Sequence, residues 1–247
     1  MKKFQKNKKE IIREFNKDKY LKYTYEYYKI KKNNKNKLFY LDIVDNMLYK
    51  KNLHKHKLDK IKKIILKYII KYIKPGQTIV EIGCGYGSIG LYLMQNINFL
   101  KNKFIFLDIA NNGTKLLKII ANDLGIKSKK FETGYIDSYN CSIDKNINIP
   151  KNSFFFSHSS MHYKKKHNSK FIDFFLNLKF KNILFAEPII EHNLKNYATV
   201  NYIKKNNYSE NFLEILQKNP KIRIILEKKN VYKIKLLPYS IIGIKRI

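Results

Sequence analysis

Apolar and aromatic residues recur at helical spacing in "LDKIKKIILKYIIKYI" (58–73), where Leu58, Ile61, Ile64, Ile65, Tyr68, Ile69 and Tyr72 share one face. With the lysine-rich, aromatic-studded stretch before it, this pattern predicts an N-terminal helical cap over residues 1–74. Pro75-Gly76 breaks the helix, and "TIVEIG" follows as a short apolar, β-rich run of the kind buried in a parallel sheet. Helical and strand-like periods then alternate: helix 87–100, strand 103–108, helix 112–125, strand 129–135, strand 153–158, helix 167–178 and strand 181–187. A last helix near 208–218 precedes "IRIILEKKNVYKIKLLPYSIIGIKRI", which is β-rich with turns predicted near Lys229-Asn230 and near Pro238. The whole predicts an α/β fold: a doubly wound, mostly parallel seven-stranded sheet over residues 75–247, closed by a C-terminal antiparallel hairpin, plus the helical cap.

Composition narrows the picture in a few places. A chain of 247 residues suffices for one sizeable α/β domain with a helical extension. No apolar run reaches about 18 residues, and the lysine-studded N-terminus lacks the apolar segment and cleavage site of a secretory signal, so a cytoplasmic location is expected. Cys84 and Cys141 are the two cysteines; with no Cys/His cluster at ligand spacing, neither a disulfide frame nor a metal site is expected. The net charge of +32 comes from 48 lysines and 3 arginines against 19 acids. An AT-rich genome accounts for the lysine, but not for the scarcity of acids, which points to an anionic partner or substrate. Lysine runs such as Lys164 to Lys166 also read simply as a solvated face.

Chemistry enters at "VEIGCGYGSIGLYL" (80–93). Glu81-x-Gly83-x-Gly85-x-Gly87 sits where a strand hands over to a helix, and glycines there let the backbone turn sharply and approach a ligand closely. Taken alone, such a loop can also be a structural turn. Twenty-one residues after Gly87, Asp108 closes the next strand, "KFIFLD", where its carboxylate would suit a ribose with two hydroxyls. A dinucleotide-binding loop is the natural competitor, but its GxGxxG fingerprint would need glycine where this chain has Ser88.

These residues resemble the first motif of the class I S-adenosylmethionine-dependent methyltransferases, and the order of elements over 76–247 is similar to that family's. The resemblance implies S-adenosyl-L-methionine as the cofactor. It implies that Glu81 holds the methionyl ammonium, that Gly83, Cys84, Gly85 and Tyr86 line the methionine and ribose, and that Asp108, with Ile109 beside it, binds the ribose hydroxyls. The family often has Asp after the third strand, where "FETGYID" offers Tyr135; either Tyr135 and Ile136 sandwich the adenine or Asp137 substitutes. Ser157, at the end of the fourth long strand, completes the implied donor site, although Phe155 stands where many relatives have Asp.

Methyl transfer to a hydroxyl is an in-line displacement that needs alignment and a base. "SHSSMHY" supplies His158 and His162 just after that strand, and Glu187 ends the next one, "ILFAEPII". Each has a plainer alternative, the histidines as loop or helix-cap partners and Glu187 as an acceptor of backbone N–H bonds. No Asn/Asp/Ser-Pro-Pro-aromatic motif follows the fourth strand, which disfavours amino-group methylation of a base, and no Pro-Cys pair offers a nucleophile for pyrimidine carbon 5. Tyr20, Tyr23, Tyr25, Tyr27 and Tyr28 in the cap could stack a sugar or base, or form core.

The expectation is an O-methyltransferase for a small polar acceptor. A loose similarity to sugar O-methyltransferases suggests a sugar or sugar-phosphate precursor of a surface glycan. The alternatives are an RNA methyltransferase whose basic cap binds nucleic acid, and a scaffold that keeps the fold without the acceptor chemistry.

Overall fold

The computed structural model describes residues 8–33, 55–96, 102–234 and 236–247. The side chain of Leu58 and the predicted helix end at 97–100 lie outside the described residues. At the centre is β1 (Ile79–Ile82), four residues buried on both faces, as a β-branched apolar run in a parallel sheet must be. It pairs in parallel with β2 (Phe104–Asp108) on one side and β5 (Phe154–His158) on the other. Beyond β2 lies parallel β3 (Phe131–Asp137); beyond β5 lies parallel β6 (Asn182–Pro188). Chain order thus reverses around β1, and such switch points open a crevice at the carboxyl ends of the strands.

Strand alternation sends phenylalanines to both faces. Phe104, Phe106, Phe154 and Phe156 pack with α2 (Lys22–Asn33), α3 (Lys55–Ile70), α4 (Ser88–Asn96) and α5 (Asn111–Asp123). Ile105, Leu107 and Phe155 pack on the opposite face with α6 (Ser169–Asn177) and α8 (Phe212–Lys218). The predicted cap enters the first of these clusters through Tyr20, Tyr27, Ile61, Ile65 and Ile69. Before α2, the chain runs through α1 (Lys8–Arg13) and a π-helical segment (Glu14–Leu21) that lies along α5. Tyr27 Oη and Lys31 Nζ both donate to Asp123 at the end of α5, at 2.7 and 2.6 Å. At its start, Asn112 N and Nδ2 donate to Asn16 Oδ1 and O, at 2.9 and 3.0 Å.

Three features depart from the sequence expectation. The sheet has eight strands, not seven, because the short β4 (Ser142–Ile143) adds antiparallel to the β3 edge; two residues carry no readable period. Helix α7 (Tyr197–Lys205) was not expected from "YATVNYIKK", whose Tyr, Thr, Val and Ile favour strands as readily as helices; the Asn196 side chain caps it by accepting from Thr199 N at 3.1 Å. In the hairpin, β7 runs over Ile222–Ile234 and β8 over Leu237–Arg246. Lys229-Asn230 is therefore not a turn but an irregularity inside β7, with Asn230 at φ +51°, and Pro238 lies within β8. Asparagine tolerates that left-handed conformation in a bulge as well as in a turn, and this misled the reading. No helix among the described residues is long and apolar enough to cross a membrane.

Phe156 is fully buried at the centre of the sheet. Phe156→Ala is expected to cost about 3–5 kcal/mol in urea unfolding, the usual price of a large core cavity.

Candidate active site

The glycine loop leaves β1 with Gly83 N and Cys84 N both donating to Leu107 O, at 2.7 and 3.1 Å. Gly83 has φ +68°, and a Cβ there would lie 2.2 Å from the Ser160 Cβ, so glycine lets the loops after β1 and β5 touch. Gly85, at φ +55°, likewise makes room for the Tyr20 hydroxyl from the π-helical segment. Asp108 holds the loop from below: its Oδ2 accepts from Gly85 N at 2.7 Å and its Oδ1 from Ala110 N at 2.6 Å. Glu81 Oε2 accepts from Gly90 N at 3.1 Å, in the first turn of α4. Burial raises the Asp108 pKa to about 6 and that of Glu81 well above its ordinary value. The same burial pushes the Cys84 thiol up, so it is no nucleophile.

Two cavities adjoin over this loop. The narrower, about 90 Å³, is lined by Asp108, Ile109, Ile136, Ser138 and Tyr139. The wider, about 460 Å³, is lined by Glu81, Cys84, Gly85, Tyr86, His158 and His162, and its size falls in the range of about 300–1,000 Å³ usual for small-molecule sites. Gly83, Ser159, Tyr163, Phe15 and Tyr20 border both. Tyr135 lines neither cavity, whereas its neighbour Ile136 does. Asp137 is buried and accepts from Tyr139 N and Asn140 N at 3.0 and 3.2 Å, folding the turn that delivers Ser138 and Tyr139. The Tyr139 hydroxyl is buried without a partner among the described residues. The sequence reading missed Tyr139, though Asp-Ser-Tyr-Asn carries an Asx-turn signature that could have placed it.

Below the wider cavity sits Glu187, 1% exposed, which reaches neither cavity. Its Oε1 accepts from Ser157 Oγ, Ser160 N and Met161 N at 2.7, 2.9 and 3.1 Å, and its Oε2 from His162 Nδ1 at 2.8 Å. Burial alone would raise the Glu187 pKa, but the bonds from His162, Ser160 and Ser157 outweigh it and hold the pKa below its ordinary value. An ionised carboxylate only accepts, so a His162 proton is on Nδ1, and Nε2 is the nitrogen that bears the lone pair whenever the ring is neutral. Glu187, offered by the sequence as a base, and Ser157, offered as a donor contact, are bonded to each other and line neither cavity. Burial lowers the pKa of His158 to about 4, and its buried Nε2 has no partner among the described residues.

Tyrosines wall the wider cavity. His162 lies 4.3 Å from the Tyr163 ring and 4.7 Å from that of Tyr208, with Tyr202 and Tyr239 beyond. Of the cap tyrosines, Tyr20 and Tyr23 line the cavity, Tyr27 is core, and Tyr25 and Tyr28 are exposed. Tyr20 and Tyr23 were among the residues that the sequence offered for stacking, whereas Tyr163, Tyr202, Tyr208 and Tyr239 come from separate segments and no local spacing announced them.

No family model and no curated protein matches the sequence. Among solved structures, magnesium protoporphyrin IX methyltransferase (ChlM) from Synechocystis PCC 6803 with bound SAH is similar with a TM-score of 0.58 at 13% identity, covering 78% of this chain and 85% of that one. Geranyl diphosphate methyltransferase in complex with GPP and sinefungin gives 0.57 at 11%, covering 76% and 78%. The mitomycin 7-O-methyltransferase MmcR gives 0.53 at 14%, covering 75% and 54%. The chain has the Rossmann-like α/β fold of these methyltransferases.

Proposed function

We propose that the protein is an S-adenosylmethionine-dependent O-methyltransferase acting on a small hydroxylated acceptor, with a sugar as the acceptor class that the sequence suggests. The observation that carries this reading is the Glu187–His162 pair, set under a cavity that adjoins the glycine-loop crevice. The structural neighbours named for porphyrin, geranyl diphosphate and mitomycin methylation support a small acceptor.

The crevice suits the donor. Glu81 and Asp108 are two buried carboxyls with raised pKa values, and a cationic ligand would favour their charged forms. Glu81 would hold an ammonium and Asp108 the ribose hydroxyls, while Tyr139 and Ile136 border the end left for adenine. When bound, S-adenosylmethionine supplies a methyl group whose bond to sulfur breaks as the new O–CH3 bond forms, leaving a neutral thioether. His162 Nε2 takes the acceptor's hydroxyl proton, and Glu187 fixes the tautomer and stabilises the resulting imidazolium. Tyr163 and Tyr208 fix the ring plane from two sides.

Calorimetry with S-adenosylmethionine tests the donor half: no heat at millimolar donor overturns the reading. Affinity is expected to rise about tenfold between about pH 5 and 7, because ribose binding favours the ionised Asp108 and that group titrates near 6 in the free protein. Asp108→Ala should weaken binding at least tenfold (about 1.4 kcal/mol) and flatten this rise. For the base, His162→Ala is expected to lower kcat by about 10²–10⁴ at saturating donor, with Glu187→Gln also slowed. Full turnover by His162→Ala would remove the histidine from the chemistry.

A further inference from the structure

The hairpin of β7 and β8 carries Ile234, Leu237 and Tyr239 into the wall of the wider cavity, and Tyr232 stacks on Tyr239 with ring centres 4.9 Å apart. The course of β7 there is set by the irregularity between Lys228 and Tyr232, where Asn230 takes a left-handed φ of +51°. Two consecutive residues of the loop after β6 reach this bulge. Asn193 Nδ2 donates to Asn230 Oδ1 at 3.1 Å. His192 reaches it through Ser240 of β8: Asn230 N donates to Ser240 Oγ at 3.1 Å, and that oxygen lies 2.7 Å from His192 Nδ1. The other ring nitrogen, Nε2, lies 3.0 Å from Glu227 Oε1 of β7. One imidazole, its side chain 2% exposed, thus joins the loop after β6 to both strands of the hairpin.

This chain of bonds has a direction. A carboxylate only accepts, so Nε2 carries a proton toward Glu227, and in the neutral ring Nδ1 has the lone pair that accepts from the Ser240 hydroxyl. Ser240 then donates to the ring and accepts from Asn230. A second proton on the ring reverses this. Nδ1 must itself donate to Ser240 Oγ, in competition with Asn230 N, and the Ser240 proton has to turn away inside the sheet, where the residue is fully buried. The charged groups around the ring are Glu227 and Lys229, whose Nζ lies 3.6 Å from the same carboxylate oxygen. Glu187 stands opposite Ser240 in the β6–β8 ladder but is bonded to His162, and Glu191, beside His192 in the chain, accepts from Leu213 N at 2.8 Å. Burial lowers the His192 pKa and Lys229 adds to that, while Glu227 opposes it. We infer that His192 is a pH-sensitive latch: neutral, it clamps the β7 bulge and steadies the hairpin wall of the wider cavity; protonated, it gives up the bond from Ser240 and slackens that wall. The inference stands on the hairpin and goes beyond the methyltransferase reading.

A histidine whose folded pKa lies below its unfolded value of about 6.5 contributes stability that is whole above that pH and is lost as the pH falls through it. The test is NMR of the full chain. His192 is expected to carry its proton on Nε2 at about pH 8 and to titrate with a midpoint below about 6.5. The Asn230 amide is expected to exchange with solvent about tenfold more readily at about pH 5 than at about pH 7.5, after correction for the intrinsic pH dependence of exchange. Ser240→Ala should raise the His192 midpoint above the wild-type value, because the hydroxyl that favours the neutral ring is gone and Glu227 remains. His192→Asn keeps an acceptor but cannot titrate, and it should leave the corrected Asn230 exchange flat over the same range; a melting curve confirms that each variant is folded. In the wild type, a proton on Nδ1 of the neutral ring, a midpoint at or above the ordinary histidine value, or Asn230 exchange independent of pH would each overturn the inference. So would a midpoint unmoved by Ser240→Ala or a wild-type pH response in His192→Asn. None of these readouts involves donor binding, so failure here is distinguishable from failure of the methyltransferase reading.

Discussion

The arrangement of the loops after β1 and β5 depends on one buried charge. Glu187 sits where water does not reach, and an uncompensated carboxylate there would cost several kcal/mol. Four donors offset that cost, and hydrogen bonds to charged groups contribute about 1.5–3 kcal/mol each. The loop after β5 can satisfy the carboxylate only by turning Ser160 N, Met161 N and His162 Nδ1 toward it together. Ser160, so placed, packs against Gly83, and that contact sets the distance between the loops after β1 and β5. The shape of both cavities follows from this arrangement, as does the orientation of His162.

The N-terminal segment belongs to the same construction. Its tyrosines and isoleucines complete the core face formed by β1, β2 and β5, so it is packed into the fold and not appended to it. Its π-helical turn brings Phe15 and Tyr20 over both cavities, where Tyr20 fits against two glycines, Gly85 and Gly113. Segments of this geometry are frequent at functional sites, and here the turn closes one side of the crevice.

What the sequence revealed was what is encoded locally. Apolar runs and helical periods placed β1 to β3, β5 and β6 to within a few residues, and Glu81, the glycines and Asp108 announced the crevice because their spacing along the chain mirrors the strand-to-helix turn. His158 and His162 were legible as strand-end residues, but not their unequal surroundings: these depend on which one Glu187 reaches across the β5–β6 pair. Tyr139, Tyr163, Tyr208 and Tyr239 come from four separate segments, and which of the described charged residues line the cavities is set by the fold. Composition averages over both. The hairpin was misplaced because a left-handed asparagine reads the same in a bulge as in a turn.

The most direct measurement is nitrogen-15 NMR of the His162 imidazole at about pH 8, where an ordinary histidine is neutral. The wild-type protein is expected to show a proton on Nδ1 and a bare Nε2, and Glu187→Gln to lose that fixed tautomer. A proton on Nε2 in the wild type, or an unchanged tautomer in the variant, would contradict the account.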